Sequence, residues 1–465
     1  MHKFWLKTLP LLIVLIFLFP SSVGLAQESS HAGPVYIVQE GDSLWEIALR
    51  FHVSQEELAR ANGIVNADQI SIGMSLIIPG LEGIQGILTT HPVEYGENLQ
   101  SLSLHYKISP LELRRLNHIT SPDELYAGYS LIVPQEGIST NFGKRTSLSS
   151  GQSLMELSIV GNTDPWTLLI MNEKNNSLSV LPGEVVHAPG EEDSRSDALP
   201  INIHSVDITG LIQGETSEIQ VVGDSEPSLS GSLFEHSLNF IPSANDLQTA
   251  LQGVHAMAEP GLYPLTLQVN PQITPENEYS QMVLVQAGDF PYDRSLPVDP
   301  ATLDPETNRT ENELWSSLSS PVSPEKIWSG IFSLPVDPVF ADCYSSRFGN
   351  RRSYNGGEYL YYHTGLDFCG QVGDPIYAAA AGTVVFADSM TVRGKATMID
   401  HGWGVYTAYM HQSEILVTVG EYVEKGQLIG LVGNTGRVEG PHLHFEVIVG
   451  GTQVDPLVWL NQEFP

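Results

Sequence analysis

Apolar residues recur along this chain in two rhythms, one near 3.6 residues and one near 2, and the change from one to the other divides it. In residues 35–79, Leu44, Ile47, Ala48 and Phe51 return at helical spacing behind Asp42 or Ser43, either of which can cap the helix. Ser54 starts a second helix; Glu57 three residues on completes a capping box, and Leu58 and Ala61 are expected to face inward. Residues 75–79 then form an apolar strand stopped by proline. Strand, two short helices and strand are predicted.

The same order of features returns more weakly twice. Residues 90–134 hold Gly96-Glu97-Asn98-Leu99, then Leu113-Arg114-Arg115-Leu116-Asn117, then Gly128-Tyr129-Ser130-Leu131-Ile132-Val133-Pro134. In residues 145–189, Gly151-Gln152-Ser153-Leu154, Leu168-Leu169-Ile170-Met171-Asn172 and the run from Leu181 to Pro189 fall in that order again. Past the acidic stretch 191–197 the rhythm shortens. In residues 200–290 the segments 219–222, 263–269 and 282–285 read as strands between turns, the pattern of a small β-sandwich without evident chemistry, expected to act as a spacer or to pack on a neighbour. Residues 291–338 are rich in proline, serine and acid and read as a linker with a short helix near 312–318. From 339 to 465 glycine-punctuated strands dominate, at 382–387, 396–400, 405–409 and 444–448. The expected architecture is multidomain: small α+β (βααβ) modules in front, a β-sandwich in the middle and an all-β antiparallel domain at the end.

Charge and targeting narrow the setting. Lys3 and Lys7, the apolar residues 9–19 and Gly24-Leu25-Ala26 have the three-part form of a signal peptide over residues 1–26. The apolar run is about half of the ~20 residues that a membrane span needs, so no retained anchor is expected. No cysteine precedes Cys343, which excludes lipid attachment at the cleavage site. The mature protein is expected to be secreted, extracellular or wall-associated, or periplasmic where the cell has an outer membrane. Its net charge is −33; residues 341–465 hold 7 of the 21 basic and 13 of the 54 acidic residues, so the acidity belongs mainly to the front. Such a surface repels nucleic acid and anionic membranes, and neither is an expected partner. Cys343 and Cys369 can bond in an oxidising compartment, the alternative being two separate buried thiols.

The titrating residues cluster near the end: His363-Thr-Gly-Leu-Asp367, Tyr409-Met-His411 and His442-Leu-His444. A catalytic zinc commonly takes three histidine or carboxylate ligands and leaves a fourth position for water. In an extended strand residues two apart share a face, so His442 and His444 are expected to project into one groove. His363 and Asp367, with Gly365 between them, are expected on an extended segment or loop that aims both at one ion. His401, in Asp400-His-Gly-Trp-Gly404, is expected to shape the rim only, and the other histidines, His255 among them, stand outside any motif.

These motifs carry two resemblances. Val-x-x-Gly-Asp-Ser-Leu-x-x-Ile-Ala, Leu-x-x-Ala-Asn and the Ile-x-x-Gly-x-x-Leu-x-Ile-Pro close of residues 35–79 resemble a LysM module, which implies binding of N-acetylglucosamine-containing glycan; the later copies bind too, or keep only the fold. The His-x-x-x-Asp, Gly-x-Pro-Ile-x-Ala, Tyr-x-His and Gly-Pro-His-Leu-His-Phe-Glu motifs of residues 339–465 are similar to those of the lysostaphin-type, LytM-like zinc endopeptidases. That likeness implies one Zn2+ held by His363, Asp367 and His444, with His411 and His442 as catalytic histidines, and peptidoglycan peptide stems as substrate. A non-enzymatic activator of wall amidases is the alternative; such regulators lack members of the ligand set, which is complete in this chain.

Overall fold

The computed structural model describes residues 34–81, 84, 86–135, 138, 142–190, 195–224, 228–243, 246–269 and 278–465. The signal peptide expected at 1–26 lies outside the described residues. Two compact units divide the chain after Gln85.

In the first unit Val35–Ile37 pairs antiparallel with Ser75–Ile77, and helices Leu44–Arg50 and Gln55–Ala61 lie between them in sequence. Ser43, not Asp42, is the first cap: its hydroxyl accepts from the Glu46 N–H while Glu46 reaches back to the Ser43 N–H. Asp42 instead accepts from the Tyr36 hydroxyl at 2.7 Å and pairs with Arg50 at 3.0 Å. Ser54 and Glu57 form the expected capping box. Leu44, Ile47, Ala48, Phe51, Leu58, Leu76 and Ile78 are buried. Ala61, expected inward, is exposed. The residue that turns inward at that end is Asn62, whose amide donates to the Leu58 and Ile77 carbonyls and accepts from the Ile77 N–H at 2.7 Å.

This asparagine clamp recurs in the second unit. Asn117 brackets Ile132 in the module built from Ile87–Pro92, Leu99–Tyr106, Pro110–Leu116 and Ser130–Pro134. Asn172 brackets His187 in the third, built from Lys144–Ser147, Leu154–Val160, Pro165–Met171 and Val185–Ala188. Each clamp satisfies a strand's N–H and C=O where no neighbouring strand does.

Two four-stranded sheets follow. One orders His236–Leu238, Leu229–Leu233, Gly261–Val269 and Glu278–Val285; the other orders Ile241–Pro242, Leu247–Gly253, Thr216–Gly223 and Ile203–Thr209. Alternating Ile219, Val221, Leu265, Leu267 and Val283 fill the space between them. This sandwich holds a neighbour on each side. The Tyr95 hydroxyl donates to Leu265 O at 2.7 Å, and the Gly96 N–H to Gln281 at 2.8 Å. On the other side the Trp459 indole donates to Thr216 Oγ1 at 2.9 Å.

The last domain is organised on one antiparallel sheet, ordered Tyr344–Ser346, Leu366–Cys369, His442–Val449, Val405–Gln412, Gly394–Asp400, Gly382–Met390 and Tyr422–Val423, with Thr452–Val454 added beside His442–Val449. The stretch read as a linker is packed onto this domain. Its helix runs from Pro305 to Ser319, longer than the 312–318 expected, because Asp304 caps it and Pro305 fits the first helical position. Trp315 on its inner face is buried against Met398, Tyr406 and Ile448. Residues nearer the sandwich bond along the segment after Gly349: Asp293 N–H donates to Arg351 O and Leu296 N–H to Ser353 O.

Cys343 and Cys369 are bonded, closing a loop across 26 positions of sequence. Closing a loop of that size removes unfolded-chain entropy worth about 3 kcal/mol. The double variant Cys343→Ser, Cys369→Ser should be less stable by about that amount in denaturant titration; equal midpoints for variant and wild type would refute it.

Candidate metal centre

Pairing register sets up the centre. Leu366–Cys369 lies against His442–Val449 so that Asp367 is directly opposite His444, and on the other side His444 is opposite Met410. His442 and His444 share a face of their strand, as alternation requires. His363 is held just before the first strand by its N–H to Asn350 O at 2.9 Å, while its carbonyl accepts from Gly349. A side chain at position 365 would meet Phe445 O and the His444 ring at 2.3 and 2.8 Å, so glycine is required there by close approach. His411 leaves the strand's regular backbone with φ of 61° and donates its N–H to Arg393 O at 3.1 Å. This places its ring 5.0 Å from that of His442 and 5.8 Å from that of His444.

His363 Nε2, Asp367 Oδ1 and His444 Nδ1 meet at mutual distances of 2.8–2.9 Å, all three residues buried. The outer nitrogens fix which lone pairs face inward. His363 Nδ1 donates to Arg347 O at 2.9 Å, which leaves Nε2 with its lone pair. His444 Nε2 is 3.2 Å from Glu446 Oε1 and can donate to it. Three donors aimed at one point repel unless a cation or proton lies among them, so this set fits a metal ion. With a proton in that place, burial opposes the charge on His444, yet its bonds to Asp367 and Glu446 carry its pKa up to about 9. Burial likewise opposes ionisation of Asp367, but the neighbouring His363 and His444 hold its carboxyl well below the usual carboxylate range.

Beside this set, His411 Nδ1 faces Thr435 O at 2.8 Å and His442 Nδ1 faces Gly440 O at 2.9 Å, so each ring donates through Nδ1 to a backbone carbonyl. Burial, reinforced by His442 and His444, pushes the His411 pKa well below that of a free imidazole. His442 Nε2 is 3.5 Å from Asp367 Oδ1. All five residues line one open cleft of about 780 Å³. The geometry thus gathers the five residues singled out from the motifs.

Sequence reasoning missed other members of this cleft. Arg352 Nη2 donates to Asp367 Oδ2 at 3.0 Å, fixing the second oxygen of that carboxylate. Asp293 accepts from Asn350 at 2.7 Å and Ser346 at 3.1 Å. His255 reaches the cleft from the sandwich and meets the Tyr362 hydroxyl at 3.2 Å. Glu446 could have been found, because it is two residues past His444 on the same face. Asp293 and His255 are brought in over long separations and carry no local signal.

The comparisons with known proteins bear on this geometry. Residues 361–456 match the model for peptidase family M23, and residues 36–79 and 91–134 each match the LysM domain. The C-terminal domain is an M23 peptidase domain. A stretch of 123 residues, 26% of this chain, is 43% identical to 28% of the peptidoglycan DD-endopeptidase ShyA of Vibrio cholerae. Against ShyB of the same organism identity is 37% over 123 residues, 26% of this chain and 29% of that protein. Against the DD-carboxypeptidase/endopeptidase Mpg of Neisseria meningitidis it is 42% over 95 residues, 20% of this chain and 22% of that protein. The matched stretches cover less than a third of each relative's length.

One histidine of the M23 domain departs from expectation. His401 is fully buried rather than on the rim, with Nδ1 on Ala381 O and Nε2 on Thr407 Oγ1, both at 2.7 Å. Phe332, from the stretch read as linker, packs on its ring at 5.2 Å and covers it. Burial holds its pKa down at about 4. The folded state therefore stays neutral while the unfolded chain takes up a proton, so this contribution is complete above pH ~6.5 and is lost as pH falls towards 4. Between those values wild type should lose about 3 kcal/mol more than His401→Asn in urea titrations; parallel pH dependences would remove His401 from the account.

Proposed function

We propose that this protein is a zinc-dependent endopeptidase that hydrolyses peptide cross-links of peptidoglycan and is held on the wall by its LysM modules. The observation that carries the reading is the convergence of His363, Asp367 and His444 beside two further imidazoles in an open cleft. The names of the M23 relatives support the substrate class.

In this reading His363 Nε2, Asp367 Oδ1 and His444 Nδ1 hold the zinc, and Arg352 and Glu446 fix the outer atoms of two of these ligands. Zinc bound there would polarise the scissile carbonyl and make water nucleophilic near neutral pH. The chain's own part is proton handling. One of His411 and His442 can take the proton of the attacking water at Nε2 and return it to the departing amine, while the other supports the oxyanion when its own Nε2 carries a proton to donate. The His411 pKa, depressed by burial, keeps that ring unprotonated at neutral pH and able to act as base. The regulator reading gives this donor set no role.

The first LysM module binds N-acetylglucosamine-containing glycan in this scheme, and the second and third add residence by effective concentration where they bind. Export through the segment 1–26 would bring the protein to the wall, and among the described residues no helix is long and apolar enough to cross a membrane.

The test is incubation of the purified full chain with peptidoglycan of defined cross-links, products being identified by mass. New amino termini should appear, vanish with chelator and return with zinc. His444→Ala should lose more than about a hundredfold in rate. Undiminished release by that variant would refute the assignment.

A further inference from the structure

Helix Pro305–Ser319 precedes the residues matched to the M23 model, yet its buried face reaches both halves of the centre. Glu311, Trp315 and Ser319 recur every four residues on that face and are 7%, 2% and 2% exposed. From Trp315 one chain of bonds runs inward. The indole N–H donates to Glu446 Oε2 at 3.1 Å; Glu446 Oε1 accepts from Thr364 at 2.5 Å and from His444 Nε2 at 3.2 Å. Glu446 is 1% exposed, so its orientation depends on these donors rather than on water.

A second chain starts one turn earlier. The Glu311 carboxylate accepts the backbone N–H groups of Thr391 at 2.5 Å, Val392 at 2.9 Å and Arg393 at 3.4 Å. The carbonyl of that same Arg393 receives the N–H of His411, the residue with the left-handed backbone. The Arg393 guanidinium joins the two chains: it lies over the Trp315 ring at 4.7 Å and pairs with Glu311 at 3.5 Å.

We propose that this helix is a positioning element of the metal centre, with Trp315 setting the ring of His444 through Glu446, and Glu311 setting His411 through the 391–393 turn. The inference rests on the reading of His444 as a zinc ligand. It predicts a split that general loosening of the fold would not give. Outer partners of a metal-binding histidine change affinity by roughly 10–100-fold when altered.

The experiment uses the full chain, with zinc alone as probe in competition with a chromophoric chelator, and peptidoglycan turnover as second readout. Trp315→Phe and, independently, Glu446→Gln should weaken zinc binding by about tenfold or more. Glu311→Gln should leave zinc affinity within about twofold and lower kcat about tenfold with little change in KM, since its chain ends on His411. Arg309→Ala, on the exposed face, should change neither. Wild-type zinc affinity in both Trp315→Phe and Glu446→Gln would overturn the proposal while the metal reading stands, as would equal loss of both properties in every inner-face variant. A wild-type chain that binds no zinc would overturn both.

Discussion

Three electron-pair donors pointed at one spot in a water-poor pocket constrain everything around them. His363 Nε2, Asp367 Oδ1 and His444 Nδ1 repel one another unless a positive charge lies between them, and each imidazole faces that spot only while its other nitrogen is held elsewhere. The surroundings supply those outer holds: the Arg347 carbonyl on His363, Glu446 on His444 and the Arg352 guanidinium on Asp367. A burial that would neutralise an isolated carboxylate is thereby made compatible with a charged one.

Strand register provides the coarse placement. Asp367 and His444 sit opposite each other in a hydrogen-bonded sheet, so their separation is set by sheet geometry rather than by loop conformation. Loops add the residues that a flat sheet cannot. His363 enters from a turn tied to Asn350, and His411 turns out of its strand through a left-handed backbone that costs free energy and is held by Arg393 and Thr435. These two groups come from the segments on either side of His442–Val449.

The parts within residues 86–465 are not a string of independent beads. Within residues 86–465 the sandwich bonds to the second module through Tyr95 and Gln281, and to the M23 domain through Thr216 and Trp459. Its His255 lies in the wall of the cleft, so a domain without motifs of its own helps to shape that cleft. In all three βααβ modules one asparagine after the second helix brackets a residue of the closing strand.

What could be read from the residues alone was whatever depends on short range or on strict periodicity. The capping box at Ser54, strand alternation at His442 and His444, and the fold class all follow from local rules, and the motif spacing nominated the five residues that the cleft brings together. Ala61 and His401 went the other way for one reason: exposure depends on partners distant in sequence, since Asn62 takes the inward place beside Ala61 by bonding Ile77, and the cover on His401 comes from Phe332. The polar, proline-rich composition of residues 291–338 suggested a linker because its buried anchors, Glu311 and Trp315 among them, meet partners far away in sequence, some 80 and 131 positions for these two. Only the tertiary structure could decide that this stretch packs on the last domain beside the cleft, since a hydrogen bond over such a separation leaves no trace in local sequence.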